Sequence, residues 1–261
     1  MKVVFLGTSG YGETGKRNTV SILLNDHILV DAGEGVTRRL LKRICAKKIT
    51  HVFLTHGHMD HLIGIFPLLW QYLVVDRRTE PLNIICPDYI ERAIKQIFDL
   101  TYFPLSIQKF TLEFHPLDVD REKQFHVTIP NYEVDAIVLE HQPACVGYRF
   151  NQKYHNETGK SFVYTGDTQP TNQITTLALK TNLLVTDCSF PSALSEDAHR
   201  LNHMTPLDAA RIAKDAECAR LGFIHHPDYI LDHKTEILAE ISRIYPSNNV
   251  IFCEDKMEII I

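Results

Sequence analysis

A cluster of polar residues with the chemistry of metal ligands interrupts an apolar stretch of the chain. Residues 51–70 read HVFLTHGHMDHLIGIFPLLW, and six positions of this stretch contain His56, His58, Asp60 and His61. Neutral imidazole and carboxylate are natural ligands of zinc and similar divalent ions. In an extended turn, His56 and His58 can face one metal while Asp60 and His61 face a second. The HxHxDH spacing therefore predicts a two-metal site, the alternative being a set of solvated loop histidines.

Further candidate ligands follow other apolar runs. HVFLT precedes His56, VDAIVLE precedes His141, FVYTG precedes Asp167 and LGFI precedes His225. Strand ends are fixed points on a rigid scaffold, so ligands placed there can be held within the tolerance of a metal site. Each residue alone could be an exposed strand-end or turn residue, and their joint placement favours a site. His226 competes with His225, which we prefer because it directly follows the apolar run.

The elements that must position these residues alternate between short apolar runs and helical patterns. The runs predict thirteen strands, at 3–6, 20–24, 28–30, 52–55, 82–86, 110–114, 125–129, 134–139, 146–150, 162–165, 183–186, 221–224 and 250–253. Helical periodicity marks the segments 34–48, 62–73, 87–100, 205–219 and 232–244. No low-complexity linker divides the chain, so we expect one α/β domain spanning 1–261, with many strands and few, mostly peripheral helices.

Local signals define some of these boundaries. Thr205 is a predicted N-cap, with Pro206 at the first helical position and Asp208 three residues after the cap. Asp88 is a predicted N-cap for the helix that follows it. Gly57 is expected to permit a tight backbone within the metal-binding turn.

Composition restricts the class of protein. Hydrophobic residues make up 44% and charged residues 23%, which is ordinary for a soluble globular protein. The net charge is −5, and no segment of the sequence resembles a basic nucleic-acid-binding tail. A nucleic acid would therefore have to be held by a local basic patch. Six dispersed cysteines without a CxxC pair argue against a disulfide framework. The first apolar run is too short for a signal peptide, and we expect a cytoplasmic protein that does not contact a membrane.

The motifs, taken in order, resemble the metallo-β-lactamase superfamily, and within it the ribonuclease Z and phosphodiesterase branch. The resemblance is carried by THGHMDH, by HQPACVGYRF, FVYTGDT and FIHHPDY, and by the opening GTSGYGETGKRNTVSILL with LVDAGEGVTRRLL. It implies a four-layer αββα sandwich, in which two mixed β-sheets are flanked by helices and a dinuclear site lies between the sheets. It also implies two zinc ions, with manganese or iron as alternatives. The ligands by position are His56, His58 and His141 for one ion, Asp60, His61 and His225 for the other, and Asp167 as the bridge.

The reaction that such a site supports is hydrolysis by an activated water. Asp60 can orient that water or accept its proton, besides binding metal. His203 lies just before a capped helix and can donate a proton to the leaving oxygen. The family pairs such a histidine with a glutamate, whereas the corresponding strand here leads to Asp187, which puts that partnership in doubt. Asp31 is expected to fix a turn rather than to bind metal.

Substrate contacts are predicted at the mouth of the site and at a helix N-terminus. Arginine suits phosphate, and the first turn of a helix offers N–H groups to an anion. For the arginine, a salt-bridged loop is the alternative. The three candidates are Arg17, Asn18 and Thr205.

Two functional hypotheses share phosphodiester hydrolysis. The first is a ribonuclease Z type of enzyme that cuts the 3′ trailer from precursor tRNA. Such enzymes commonly have a long arm that grips tRNA, whereas only eleven residues separate Phe150 from Phe162 here, so we expect no such insertion. The second is hydrolysis of a small phosphodiester such as a cyclic nucleotide, which Asp187, the short segment and the acidic balance favour. A thioester or lactone hydrolase and a non-catalytic scaffold are further alternatives. Dimerisation is common in the family that the sequence resembles, so a homodimer is possible, although no apolar stripe in the sequence establishes one.

Overall fold

Two seven-stranded sheets form the centre of the molecule. The computed structural model describes residues 1–10, 15–44, 46–154 and 157–261. Within these ranges the first sheet has the order β14-β1-β2-β3-β4-β5-β6 and the second the order β13-β12-β11-β10-β9-β8-β7. The strands are β1 Lys2–Gly7, β2 Ser21–Leu24, β3 Ile28–Val30, β4 His51–Phe53, β5 Leu82–Pro87, β6 Leu112–Leu117, β7 Gln124–Ile129, β8 Tyr132–Leu139, β9 Cys145–Tyr154, β10 Glu157–Tyr164, β11 Leu183–Asp187, β12 Leu221–Ile224, β13 Val250–Phe252 and β14 Glu258–Ile260.

Helices cover the outer faces of both sheets. They are α1 Val36–Arg43, α2 Met59–Leu62, α3 Ile65–Trp70, α4 Asp88–Leu100, α5 Asn172–Ala178, α6 Ser195–Arg200, α7 Pro206–Asp215, α8 Asp228–Asp232 and α9 Lys234–Ile241, with a π-helical turn at Gln71–Val75 and a 3₁₀ turn at Ala46–Lys48. One apolar core lies between the sheets, and one lies under the helices on each outer side. This is the predicted αββα sandwich, and the fold class is confirmed. In the described ranges no helix is long and apolar enough to cross a membrane.

Both sheets are mixed, and this topology decides where the site forms. Strands β3 to β6 run parallel to one another, as do β10 to β13, while the remaining pairs are antiparallel. In α/β sheets, ligands bind outside the carboxyl ends of the parallel strands. The sheets are joined by ring contacts, with Phe53 of β4 edge-on to Phe150 of β9 at 4.9 Å between centroids. Tyr148 of β9 donates a hydrogen bond to the carbonyl of Leu54 (2.8 Å), directly before the metal-binding turn.

The observed elements agree closely with the predicted ones. Each of the thirteen predicted strands overlaps an observed strand, and the final strand β14 was not predicted. The prediction of Asp88 as an N-cap is wrong by one residue, because Asp88 is the first helical residue and Pro87 precedes it. The cap at Thr205 is confirmed, with the full capping box to Asp208.

The segment between Phe150 and Phe162 is a hairpin in the structure. Strands β9 and β10 pair as far as Tyr154 and Glu157, with a shift of register between Thr158 and Ser161. Most of the eleven residues in this segment are therefore strand.

Candidate metal centre

The carboxyl ends of strands from both sheets bring the predicted ligands together. His56 follows β4 of the first sheet, whereas His141, Asp167 and His225 follow β8, β10 and β12 of the second. Gly166 precedes Asp167 in the left-handed region (φ 65°), and a Cβ there would lie 2.6 Å from Cys145 Sγ. His225 itself has a left-handed backbone (φ 58°), an uncommon conformation for a residue with a side chain.

One group of ligand atoms forms around His56. The potential ligand atoms of this group lie within 4.8 Å of one another and belong to His56, His58, His141 and Asp167. His58 Nδ1 lies 3.3 Å from His141 Nε2, and His56 Nε2 lies 3.7 Å from Asp167 Oδ2. Three imidazoles and a carboxylate at these distances match the donor set of a zinc site.

A second group lies on the other side of Asp167. It consists of Asp60, His61 and His225, again with ligand atoms within 4.8 Å of one another. His225 Nε2 is 3.1 Å from Asp60 Oδ2 and 3.2 Å from Asp167 Oδ2. The other oxygen of Asp167 lies 3.4 Å from His61 Nε2. Asp167 therefore faces both groups, and its role as the bridge stays a prediction.

Orphaned buried atoms test whether the residues suit a metal. In the described part of the chain, His56 Nε2, His61 Nε2 and Asp167 Oδ1 are buried without a hydrogen-bond partner. An unsatisfied buried polar atom is costly, and three in one place require an explanation. All three point into the same space between the two groups. A divalent cation satisfies such nitrogen and oxygen lone pairs, so the residues fit a metal.

The outward ring nitrogens are fixed by neighbouring acceptors. His141 Nδ1 donates to the backbone carbonyl of Asn202 (3.1 Å), which leaves Nε2 facing inward as a lone-pair donor. Nδ1 of His56 lies 3.0 Å from Thr55 Oγ1. Such partners set the tautomer and the orientation of metal-binding histidines.

Asp31 is the most connected of these outer partners. Its carboxylate lies 2.7 Å from His61 Nδ1 and accepts hydrogen bonds from the Tyr164 hydroxyl (3.0 Å) and from the Thr55 backbone N–H (2.8 Å). We expected Asp31 to fix a turn, and its backbone is indeed left-handed (φ 54°). That expectation did not include the contacts of its side chain. Its side chain joins both sheets and orients a candidate ligand.

His203 lies beside the centre and is held by Asp187. Their Nδ1 and Oδ2 atoms are 2.7 Å apart, and Asp187 also accepts from the Met204 N–H (3.2 Å). Ser189 donates to the other oxygen of Asp187 (2.5 Å) and lies 2.7 Å from His225 Nδ1. His203, His225 and Asp167 also form a third group of atoms within 4.8 Å. Ser189, which the sequence did not single out, thus links the His203 pair to a candidate ligand.

Charges in the centre shift the pKa values of its residues. Burial and the neighbouring His61 hold the pKa of His56 well below its ordinary value. Burial also disfavours a charged His203, but the Asp187 carboxylate outweighs it and raises the pKa of His203. Burial alone would raise the pKa of Asp187, but the facing His203 holds that pKa below its ordinary value. His203 and Asp187 therefore favour their charged forms.

The predicted substrate contacts have internal partners. Arg17 donates to Asp228 (2.8 Å) and to the carbonyl of His226 (2.8 Å), which is the salt-bridged arrangement that we kept as the alternative. The Asn18 side-chain amide donates to the Leu6 carbonyl (3.4 Å). The Thr205 hydroxyl is used in its capping box. None of these contacts points to substrate, and substrate binding by these residues stays a prediction.

Two neighbours of the turn differ from the sequence interpretation. His226 points away from the centre, with Nε2 3.0 Å from the Cys253 carbonyl, while His225 faces it. Gly57 is not in the left-handed region. Its N–H donates to the Tyr89 hydroxyl (3.1 Å), and a Cβ there would lie 3.0 Å from the Tyr89 ring. The reason for glycine is therefore close packing rather than a tight turn.

The chain is similar to known proteins in its sequence and in its fold. A family model, the beta-lactamase superfamily domain, matches residues 26–226, a range that contains all the candidate ligands. A ribonuclease Z of Haloarcula marismortui is 29% identical, and the alignment covers 99% of this chain and 96% of that protein. A ribonuclease Z of Natronomonas pharaonis is 27% identical, with 86% of each chain covered. The crystal structure of human tRNase Z, short form, is similar with a TM-score of 0.81 and 23% identity, covering 100% of this chain and 99% of that one.

Proposed function

Because the chain belongs to the ribonuclease Z-like branch of the beta-lactamase superfamily, we propose that it is a dinuclear-zinc phosphodiesterase that cuts RNA as ribonuclease Z does. The observation that carries the proposal is the pair of ligand groups that share Asp167, with His203 beside them. Metal-dependent hydrolysis of a diester with an alkoxide leaving group uses both parts, a place for the cations and a separate proton donor.

The proposed ligands are the residues whose lone pairs face the shared space. When bound, the two ions would polarise the phosphodiester and lower the pKa of an attacking water. Manganese or iron could occupy the same nitrogen and oxygen donors. The ligand sets are His56, His58 and His141 for one ion and Asp60, His61 and His225 for the other, with Asp167 between them.

Three side chains would handle protons and orientation. Asp60 is held by His225 (3.1 Å) at the edge of the centre, where its carboxylate can orient the attacking water. His203 would donate a proton to the leaving oxygen. Asp187 would keep His203 protonated and aimed at the substrate, since it holds the Nδ1 side of the ring and leaves Nε2 free to donate. The shorter aspartate reaches its histidine, which supports the partnership that the missing glutamate put in doubt.

Precursor tRNA is the proposed substrate, and a small phosphodiester is the second candidate. The relatives above carry the name ribonuclease Z, which favours the first. The short hairpin of β9 and β10 favours the second, because it offers no long arm for gripping tRNA. A thioester has no comparable support, since a leaving alkoxide explains the acid His203 and a thiolate would not need it. A lactone also releases an alkoxide, and there the name of the ribonuclease Z relatives is what favours a phosphodiester.

A homodimer remains part of the proposal. Exposed apolar side chains lie on the helical segment after the metal-binding turn, at Met59, Ile63, Trp70 and Val74. Their spacing places them along one side of that segment, a pattern that the sequence interpretation missed. Light scattering in solution should give the mass of two chains; the mass of one chain would remove this part.

Substrate turnover by the zinc-loaded protein tests the proposed function. The panel is a bis-aryl phosphodiester, a cyclic nucleotide, precursor tRNA and a thioester. Cleavage of precursor tRNA at the 3′ trailer together with the aryl diester is expected. Turnover of small diesters with intact precursor tRNA would favour the second candidate, and the absence of all phosphodiester turnover would contradict both.

A further inference from the structure

Positive charge is concentrated in one part of this acidic chain. Residues 36–59 contain six lysines and arginines and no aspartate or glutamate, although the whole chain has a net charge of −5. The six lie on α1 and on the 3₁₀ turn at Ala46–Lys48. The local charge is therefore opposite to that of the molecule.

Most of these cations lack a carboxylate partner. Arg39 pairs with Asp255 (2.9 Å) and Arg43 pairs with Glu258. Among the described residues, the others are exposed and form no ion pair, and neither does the exposed Arg77. We define the basic face as these five residues: Arg38, Lys42, Lys47, Lys48 and Arg77.

The exposed face of another helix, α4, provides a comparison, because its cations are paired with carboxylates. In α4, Arg92 pairs with Asp88 and Lys95 pairs with Glu91, each at the i, i+4 spacing. In α1, Arg38 and Lys42 have the same spacing with like charges, which repel each other. The first turn of α1 contains no acidic residue. The helix dipole favours Lys42 in the last turn, but nothing on α1 offsets its repulsion with Arg38, which a bound anion would relieve.

Buried contacts hold the parts of the basic face together. Tyr72 donates to the carbonyl of Ala46 (2.7 Å), and Arg78 donates to the carbonyl of Lys47 (3.0 Å). These bonds fix the loop that contains Arg77 against the 3₁₀ turn that carries Lys47. The loop with Arg77 and the turn with Lys47 and Lys48 are therefore held together, and the turn follows α1 closely in the chain.

The basic face begins beside the metal-binding turn. A Cβ on Gly33, just before α1, would lie 2.4 Å from the backbone oxygen of Asp60. A Cβ on Gly64 would lie 2.7 Å from the Val36 side chain, the first residue of α1. The segment that leads into α1 thus packs against the backbone of the metal-binding turn and the helix that follows it, and the eight residues of α1 span about 12 Å.

We propose that the basic face holds the sugar–phosphate backbone of an RNA whose scissile bond lies at the metal centre. The inference rests on the proposed function and extends it with a surface for the polyanion. Three acidic residues lie near these cations in the sequence: Glu34 precedes α1, and Asp76 and Glu80 lie close to Arg77, with Asp76 accepting from Gln71. Asp255 and Glu258 are already paired with Arg39 and Arg43, which leaves the charges of Arg38 and Lys42 without a carboxylate partner among the described residues. Exposed cations without internal partners suit phosphates, because binding releases counterions without breaking an ion pair.

The test measures binding of mature tRNA, which lacks the trailer and is not consumed. The variant Arg38→Gln/Lys42→Gln removes two charges from the face and keeps good helix formers. We expect its affinity to fall about tenfold near 0.1 M salt and the slope of log affinity against log salt to become shallower by about 2. Turnover of a bis-aryl phosphodiester should stay unchanged.

The matched control is Lys214→Gln/Arg243→Gln, which removes two exposed charges, one on α7 and one in the turn after α9, on the side of the other sheet. It should change neither the affinity nor the salt dependence. Equal losses in both double variants, or none in the first, would overturn the inference. A wild-type protein that cleaves small diesters and does not bind tRNA would overturn it too, while the phosphodiesterase proposal stands. If wild type binds tRNA through the face and cleaves no diester, the proposed function fails and the surface remains.

Discussion

Nδ1 of His203 lies 2.7 Å from Oδ2 of Asp187, although sixteen residues separate them in the chain. The bond fixes one side of the imidazole and turns the other toward the metal centre. His203 contacts His225 by ring stacking at 5.5 Å between centroids, yet the proposed ligand sets do not need it. That combination is what a proton donor requires, since it must be close to the reacting bond and free to release its proton.

Replacing His203 with alanine should separate proton donation from metal binding. We expect turnover of a substrate with a poor leaving group, such as precursor tRNA, to fall about 10²–10⁴-fold. Turnover of an activated aryl diester should fall much less, because an aryl oxide leaves without a proton. Metal content should not change. The control is His199→Ala, which also removes a histidine from a carboxylate pair, with Asp208, without altering the centre. A loss that is equal for both leaving groups would show that His203 has another role.

Asp31→Asn tests the outer partner of His61. The substitution keeps the shape and tolerates the left-handed backbone but removes the charge that orients His61 Nδ1. We expect metal affinity to fall about 10–100-fold, measured by competition with a chelator. Asp26→Asn is a suitable control, because Asp26 has a left-handed backbone too but pairs with Lys2 at the surface. Unchanged affinity in Asp31→Asn would mean that the pair does not support the ligand.

Gly166→Ala should disturb the centre through the backbone. The left-handed conformation costs an added Cβ about 1–2 kcal/mol, and the clash with Cys145 Sγ adds an overpacking cost of about 1–3 kcal/mol. Since Gly166 precedes Asp167, metal binding should weaken together with thermal stability. Gly15→Ala offers the matched comparison, because Gly15 has a similar φ of 76° and no described neighbour within 4 Å. Equal effects of both substitutions on metal affinity would contradict a local cause.

Thr205→Val separates capping from substrate binding. The hydroxyl accepts the Asp208 N–H and donates to its carboxylate (2.6 Å), so its loss should lower the free energy of unfolding by about 1 kcal/mol. Thr171, the N-cap of α5, makes no capping bond, and Thr171→Val should cost less in the same denaturation experiment. KM for a phosphodiester should stay near the wild-type value in Thr205→Val. A large rise in KM would instead support the substrate contact predicted from sequence.

Most of the fold could be predicted from the sequence, because its strands are apolar runs bounded by turns. The strand 221–224 agrees with the prediction residue for residue, and the capping box at Thr205 follows from local chemistry alone. Strand β14 was not predicted, because Glu258–Ile260 is short and its strand structure depends on pairing with β1, at the other end of the chain. Pairing across such a distance leaves no local pattern to read.

In the candidate site, too, local patterns predicted some residues, whereas the roles of others depend on contacts between distant parts of the chain. The ligand types and spacing of the 56–61 turn are local, so they stand out in the sequence. The role of Asp31 depends on His61 and on Tyr164, which is 133 residues away. Ser189 likewise contacts His225 only because β11 and β12 pair side by side, so its role cannot be inferred from the local sequence. Such partners become recognisable only once the sheets are assembled.

Zinc titration of the metal-free protein tests the central claim most directly. Bound zinc and turnover of a bis-aryl phosphodiester would be followed in the same samples. The proposal predicts two zinc ions per chain, with turnover that appears as they bind and is lost again with a chelator. Two bound ions without any phosphodiester turnover, or turnover that persists in the metal-free protein, would contradict it.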